Sequence, residues 1–318
     1  MENSSPIITW AKANQRFLEV KIRRLTWIDD WLPGAWDFEC SIRVGAHRFV
    51  GRGTAFDRTV SLEKALSEAV ERAVVFDSQI ESSNGVAAYP TRQGAEHRAL
   101  QELVERHLYM NHHYRCLSMD KIESNSVILS HVKPLLDSLV NCDVGLEVYE
   151  MTKLGSFRTT MVRLNGHRLI PKFGSVIGLG SRKNLSDSVA QSLFEAARKL
   201  AYCLVSGDRN SLSLEEFKSL ESPSIVDHGL LGRNYEYSVN LNYDTSTRSG
   251  TECFQDITGE TKFTLLQSSS AVLGECPLYV VLAENKKMTK VIFGQRNMET
   301  LKSSESNHNL TETPHIMS

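Results

Sequence analysis

Gly51-Arg-Gly53, followed by Ala65-Leu-Ser-Glu68-Ala-Val-Glu71-Arg72, is the stretch that decides the fold. It reads as an extended segment, a glycine turn, and a helix that carries glutamates. The same order recurs twice. Ser83-Asn84-Gly85-Val-Ala-Ala88 precedes Ala99-Leu-Gln-Glu102-Leu-Val-Glu105-Arg106, and Val176-Ile-Gly178-Leu-Gly180 precedes Glu195-Ala-Ala-Arg198-Lys199. The step from Gly53 to Glu68 equals the step from Gly180 to Glu195, and the step from Gly85 to Glu102 is only slightly longer. Three near-equal distances say more than a lone glycine motif and mark an internal repeat.

Working outward, each repeat predicts a helix. Leu62, Ala65, Leu66, Ala69 and Ala73 recur near a 3.6-residue period and place a helix over 61–76, with Ser61 as its N-cap. Ala95, Ala99, Leu103 and Leu108 do the same for 91–109, and Val189, Leu193, Ala196, Ala197 and Leu200 for 186–205. Outside the repeats, β-branched and aromatic residues predict strands at 144–150, 158–164, 236–242 and 278–282. Residues 119–138 read as a connecting helix and loop. Residues 207–227, with Glu215-Glu216-Phe217, read as an insertion. Interleaved helices and strands predict an α/β (α+β) class built from repeated strand–glycine–helix units.

Composition limits the function. The chain has 318 residues, 41% hydrophobic and 23% charged, enough for a packed core. Its net charge of −2, with no run of five like charges, argues against a nucleic-acid or anionic-membrane binder. The segment from Met1 to Gln15 lacks the pattern of a secretory signal, and the apolar stretch at 278–283 is too short to cross a bilayer. The six cysteines (40, 116, 142, 203, 253 and 276) form no CxxC pair. Neither a zinc site nor a disulfide framework is indicated, and a cytoplasmic protein with free thiols is expected.

The glutamates carry the chemistry. Residues three apart on a helix share one face, so Glu68/Glu71 and Glu102/Glu105 each set two carboxylates side by side. Like charges so placed repel, and need compensation if they are buried. One reading is a pair of solvated helix faces. The sharper reading is that the helices converge and the carboxylates hold Mg²⁺, which takes oxygen ligands and bridges to substrate phosphates. Arg106 would then contact a phosphate oxygen. With no GxxxxGK[ST] and no kinase signature in the chain, this predicts an ATP site without a Walker loop.

On these residues the chain resembles the YcaO family over roughly Arg43 to Thr300. Weaker echoes continue through Asp227-His228 and Leu278-Tyr-Val-Val281. The resemblance implies a YcaO-like fold around a nucleotide site, and an ATP- and Mg²⁺-dependent enzyme acting on peptide backbone amides. In azoline-forming members, a Cys, Ser or Thr of the substrate attacks the preceding carbonyl. ATP phosphorylates the amide-derived oxygen, and loss of phosphate leaves a thiazoline or oxazoline. Other members make thioamides or amidines, and non-catalytic subunits or accessories of ribosomal-protein modification are further alternatives. By resemblance, Glu68, Glu102 and Glu195 form one metal-ligand set, and Glu71 and Glu105 a second. Lys64, Asn84, Arg106 and Gln191 are implied ATP contacts, and no catalytic residue is assigned. The alternative for Asn84-Gly85 is an ordinary turn, and for Arg106 a structural salt bridge. The implied partners are a ribosomally made precursor peptide, of the bacteriocin type, a leader-binding protein and a flavin dehydrogenase, in a homodimer or hetero-complex.

The departures from the family pattern are specific. Lys64 stands where Ser is usual, Gln191 where a basic residue is usual, and His107 where Asp is frequent. Only Pro314 represents the terminal Pro-rich motif of many azoline-forming members. Lys64 is expected to restore near the phosphates the charge that Gln191 lacks; the alternative is a helix-face pair with Glu68. His112-His113, near Cys116, reads as a solvated helix end. Trp27, Trp31 and Trp36 read as core, or alternatively as a peptide-binding edge. Arg52 reads as a turn residue, or alternatively as a phosphate contact. The expected organisation is an N-terminal extension (1–42), a catalytic domain (43–302) and a polar, frayed tail (303–318). The extension is short for a winged-helix leader-binding module, which leaves peptide capture to a partner.

Overall fold

A computed structural model of the chain describes residues 5–26, 29, 34–80, 82–123, 127–166, 170, 172–205, 210–241, 243, 256–289, 291 and 313–317. The chain begins with α1 (Pro6–Ala13), β1 (Lys21–Arg24), β2 (Trp36–Val44), β3 (His47–Ala55), α2 (Arg58–Asp77), β4 (Val86–Tyr89) and α3 (Arg92–Tyr114). Next come β5 (Asp120–Ile122), a 3-10 segment (Val127–Val132), α4 (Lys133–Asn141), β6 (Gly145–Glu150), β7 (Arg158–Asn165), β8 (Ser175–Arg182) and α5 (Leu185–Val205). The short helices α6 (Leu214–Ser219), α7 (Ile225–Arg233) and α8 (Tyr235–Val239) follow. Then come β9 (Lys262–Leu266), α9 (Ala271–Gly274) and β10 (Tyr279–Glu284). Among the described residues the strands form three antiparallel sheets, ordered β1-β2-β3, β4-β10-β9 and β5-β6-β7-β8. The mixed α/β class is therefore the observed one.

The chain divides into two compact units, residues 1–103 with 258–286, and residues 104–257 with 287–318. The division falls inside α3. In the first unit, α2 lies on the β2–β3 hairpin. Its apolar face, Ala65, Leu66, Ala69, Val70 and Ala73, is buried with Phe38, Cys40 and Ile42 of β2 and with Ile7 and Trp10 of α1. Each large side chain buried this way stabilises the fold by roughly 1.5–3 kcal/mol. The residues expected to form an N-terminal extension thus supply a core helix and a central strand. Trp36 stacks on Phe38 at 6.0 Å between ring centroids, with the Arg24 guanidinium 4.5 Å from its centroid. Trp27 and Trp31 lie outside the described residues.

Two details differ from the sequence reading. Asp57, not Ser61, caps α2: its Oδ1 accepts the Val60 N–H at 2.8 Å. Ser61 lies inside the helix, its hydroxyl 2.6 Å from the Gly53 carbonyl oxygen. Gly51 and Gly53 sit within β3 rather than in a turn. A Cβ on Gly51 would lie 2.2 Å from the Ala65 carbonyl oxygen, so glycine is needed where the helix backbone rests on the strand. Arg52 is accordingly a strand residue, and its side chain pairs with Glu39 at 2.9 Å. Gly85, by contrast, does occupy a turn, at φ +77°.

In the second unit, α5 covers β7 and β8, with Val189, Leu193, Ala196, Ala197 and Leu200 buried. Gly178 and Gly180 again lie within a strand, β8, under the helix. The segment 119–138 supplies an edge strand, β5, as well as helix. Within 207–227, the described residues form α6, which buries Phe217, and the start of α7. Of the strand expected at 236–242, residues 236–239 lie instead in the helix α8. The Asn234 Oδ1 caps it through the Tyr237 N–H at 2.9 Å, and the buried Arg163 guanidinium meets Ser238 Oγ at 3.0 Å and the Leu241 carbonyl at 2.9 Å.

His112 and His113 are not solvated. Both are buried because α3 runs on to Tyr114 inside this unit. His112 Nε2 accepts the Thr152 N–H at 3.1 Å, and His113 Nε2 lies 2.8 Å from the Thr313 carbonyl oxygen. The expected frayed end is also corrected over residues 313–317. His315, Ile316 and Met317 are buried, and the His315 ring stacks on His228 at 4.0 Å.

Candidate functional site

The sequence-predicted glutamates divide with α3. Glu68, Glu71 and Glu102 belong to the first unit, and Glu105 and Glu195 to the second. Glu68 is fixed at both carboxylate oxygens. Its Oε2 accepts the Arg52 N–H at 2.7 Å, and its Oε1 pairs with Arg72 at 2.6 Å. Glu71 accepts the Ala88 N–H of β4 at 3.0 Å. Burial raises the Glu71 carboxyl well above the ordinary range, and the charges of Glu102 and Glu68 raise it further. The first unit therefore concentrates carboxylate charge around a side chain that resists ionising.

The second unit shows the complementary situation. Burial pushes the Glu105 carboxyl up to about 7; the Arg106 guanidinium opposes this and the Glu195 charge adds to it. Burial also raises Glu195, but the ammonium of Lys199, then Arg106 and Arg198, outweigh it, and the net shift is downward. Lys199 stands 2.9 Å from Glu195 Oε1. Glu195 Oε2 accepts the Leu179 N–H at 3.1 Å. Arg106 Nε is 3.8 Å from Glu105, and its guanidinium lies 2.7 Å from the Met317 Sδ. Gln191 Nε2 lies 3.4 Å from Glu105 Oε2.

Two of the expected nucleotide contacts stand out. Asn84 Oδ1, in the first unit, and Gln191 Oε1, in the second, are buried and accept no hydrogen bond among the described residues. A buried amide oxygen left unpaired costs about 1–3 kcal/mol, so each is a ready acceptor for a donor brought by a ligand. Lys64 is exposed and donates to the Thr54 carbonyl at 3.1 Å. His107 Nδ1 accepts the Thr289 N–H at 2.8 Å, and burial holds the ring at about 4, so His107 is neutral.

The all-oxygen donor set fits Mg²⁺, and the raised carboxyls mark positions where a cation would relieve an electrostatic cost. Among the described residues no three His, Cys, Asp or Glu side chains form a cage for a metal. Mg²⁺ characteristically takes one or two carboxylates and completes its shell with phosphate oxygens and water. Sequence reasoning overlooked the backbone N–H groups of Arg52, Ala88 and Leu179 as carboxylate holders. It also overlooked Lys199, although its i+4 spacing from Glu195 was readable. Cys40 and Cys276 are pushed to about 12 by burial and stay protonated near neutrality.

The repeated helices of this mixed α/β fold thus carry a set of buried or ion-paired carboxylates. Residues 74–236, just over half the chain, match the YcaO cyclodehydratase, ATP- and Mg²⁺-binding family. The chain belongs to the YcaO family. No curated protein matches it. YcaO from Methanopyrus kandleri, solved with AMPPCP and Mg²⁺ bound, shares the fold at a TM-score of 0.60 and 14% identity, over 87% of this chain and 89% of that one. A heterocyclase solved with substrate and cofactor gives 0.61 and 14%, over 97% of this chain and 56% of that chain's length. The E. coli microcin synthetase McbBCD complex gives 0.54 and 10%, over 79% and 85%.

Proposed function

We propose that this chain is an ATP- and Mg²⁺-dependent cyclodehydratase that forms azoline rings in a ribosomally made peptide. The supporting observation is the pair of buried, hard-to-ionise carboxylates, Glu71 and Glu105, each raised further by the charge of a glutamate that is ion-paired to a helix cation, Glu68 with Arg72 and Glu195 with Lys199. In this reading Glu68, Glu102 and Glu195 belong to one metal-ligand set and Glu71 and Glu105 to a second, from which each ion draws one or two carboxylates beside phosphate and water. Arg106 contacts phosphate, with Lys64, and Asn84 and Gln191 present their unpaired oxygens to the nucleotide. When bound, Mg²⁺ neutralises triphosphate charge. The nucleophile comes from the peptide: its thiol or hydroxyl adds to the preceding carbonyl. The resulting oxyanion takes the γ-phosphoryl of ATP and releases ADP. Expulsion of phosphate then closes the C=N bond, with loss of the amide proton. The peptide's oxygen leaves in the phosphate, so the peptide loses the elements of water. The protein's task is alignment and charge neutralisation, as in other phosphoryl transfers.

Capture of the peptide by a separate protein accords with this reading, and the E. coli microcin synthetase is itself a complex. The test is phosphate release from ATP with a Cys/Ser/Thr-rich precursor peptide and any partner encoded beside the gene, followed by mass spectrometry. Peptide-dependent phosphate release with loss of water per site supports the proposal. Replacement of oxygen by sulfur identifies a thioamide-forming enzyme instead, and no peptide-stimulated release contradicts both. Lys64→Ser should weaken ATP binding; unchanged affinity and turnover would remove Lys64 from the phosphate contacts.

A further inference from the structure

The first and third repeats share more than glycines and glutamates. Val50 and Ile177, Arg52 and Leu179, Ser61 and Ser188, Glu68 and Glu195, and Arg72 and Lys199 are all related by one constant offset in the sequence. Their hydrogen bonds correspond atom for atom. The Arg52 N–H donates to Glu68 Oε2 at 2.7 Å, and the Leu179 N–H to Glu195 Oε2 at 3.1 Å. Arg72 reaches Glu68 Oε1 at 2.6 Å and the Val50 carbonyl at 2.7 Å. Lys199 reaches Glu195 Oε1 at 2.9 Å and the Ile177 carbonyl at 3.1 Å. Ser61 and Ser188 bond the Gly53 and Gly180 carbonyls at 2.6 and 2.7 Å.

Both β3 and β8 end their sheets. In each, the helix returns a carboxylate to an edge-strand N–H and a cation to the carbonyl two residues earlier. One explanation is purely structural, a cap on a sheet edge. The details go further. An arginine in one unit and a lysine in the other make the same two contacts, one to the repeat-equivalent glutamate and one to the strand carbonyl. Each oxygen of that carboxylate spends one acceptor position on the protein and retains capacity for another partner.

We infer that Arg72 and Lys199 are positioning residues of the metal–nucleotide site, each clamping a glutamate ligand in one rotamer against its strand. The inference rests on the proposal that Glu68 and Glu195 serve that site. Partners of this kind, one step removed from a metal, typically change affinity by about 10–100-fold when removed.

The test is calorimetric titration of AMPPCP, with and without Mg²⁺, into the wild-type chain and the Lys199→Met, Lys199→Arg and Arg72→Met variants, with thermal melts alongside. Lys199→Met is expected to weaken Mg²⁺-dependent binding about tenfold or more and to leave Mg²⁺-free binding unchanged. Lys199→Arg, which copies the first repeat, is expected to restore it. If Lys199→Met fails to fold, Arg72→Met carries the same expectation at a more exposed clamp. A folded Lys199→Met or Arg72→Met chain that binds Mg²⁺ and nucleotide as wild type does would reduce the clamp to an edge cap and overturn the inference. Absence of Mg²⁺-dependent binding in the wild type would instead overturn the functional proposal on which it rests.

Discussion

Glu105 shows how one residue can report on the site. Its carboxyl is lifted to about 7 by burial, against an ordinary 4.5. The folded chain therefore holds this proton through a range in which the unfolded chain has released it. The stabilisation is full below the ordinary value and is lost as pH rises through about 7. In Mg²⁺-free buffer, wild type should lose stability relative to Glu105→Gln between about pH 5 and about pH 8, as read by thermal melts. Parallel pH profiles for the two proteins would show that Glu105 is not held protonated. The unpaired oxygens give a second prediction. Asn84→Ala and Gln191→Ala each remove a buried amide oxygen with no hydrogen-bond partner among the described residues, so both should bind ATP more weakly, by about tenfold for a lost hydrogen bond of about 1–1.5 kcal/mol; Asn84→Ala should melt near wild type, whereas Gln191→Ala also removes the Nε2 contact to Glu105. Unchanged affinity in either variant would remove that side chain from the nucleotide contacts.

At the level of elements, the glycines in β3 and β8 carry the geometry. A Cβ on Gly178 would lie 2.0 Å from the Ser192 carbonyl oxygen, and backbone cannot move aside as a side chain can. Gly178→Ala should destabilise the fold by about 3 kcal/mol, at the upper end for overpacking, measured by denaturant unfolding. Full stability would mean that α5 does not rest on β8 as described. These glycines were legible as important but were read as turns, because sequence alone does not show which backbone passes overhead. The three long helices were legible because their apolar residues repeat at one period. The strand expected at 236–242 failed because Asn234 capping and the Arg163 guanidinium, which comes from the distant strand β7, favour a helix there. His112 and His113 were misread for a similar reason: Thr152, Tyr243 and Thr313, which meet His112 Nε2 and the two His113 ring nitrogens, are remote in sequence. The acidic residues of the candidate site were named from the repeat. The holders of those acids were mostly backbone N–H groups, which have no residue code.

For the molecule as a whole, residues 313–317 are part of the second unit's interior. The Thr313, Pro314 and His315 carbonyls meet side chains of His113, Tyr237 and His228 respectively, on three different helices. Removing 313–318 would expose the apolar seat of Ile316 and Met317 and strand buried polar groups. It should cost about 3 kcal/mol or more, seen as a lower thermal midpoint. An unchanged midpoint would mean that this segment is not seated in solution. The larger claim is that glutamates from repeated helices receive a divalent cation together with a nucleotide. The most direct measurement is electron paramagnetic resonance of Mn²⁺, a spectroscopic stand-in for Mg²⁺, titrated into the chain with ATP. Protein with ATP should deplete the free Mn²⁺ signal beyond what ATP alone does, Mg²⁺ should reverse this, and Glu71→Gln and Glu105→Gln should weaken it. A free signal that matches ATP alone, or wild type and both variants giving the same titration, would contradict that claim.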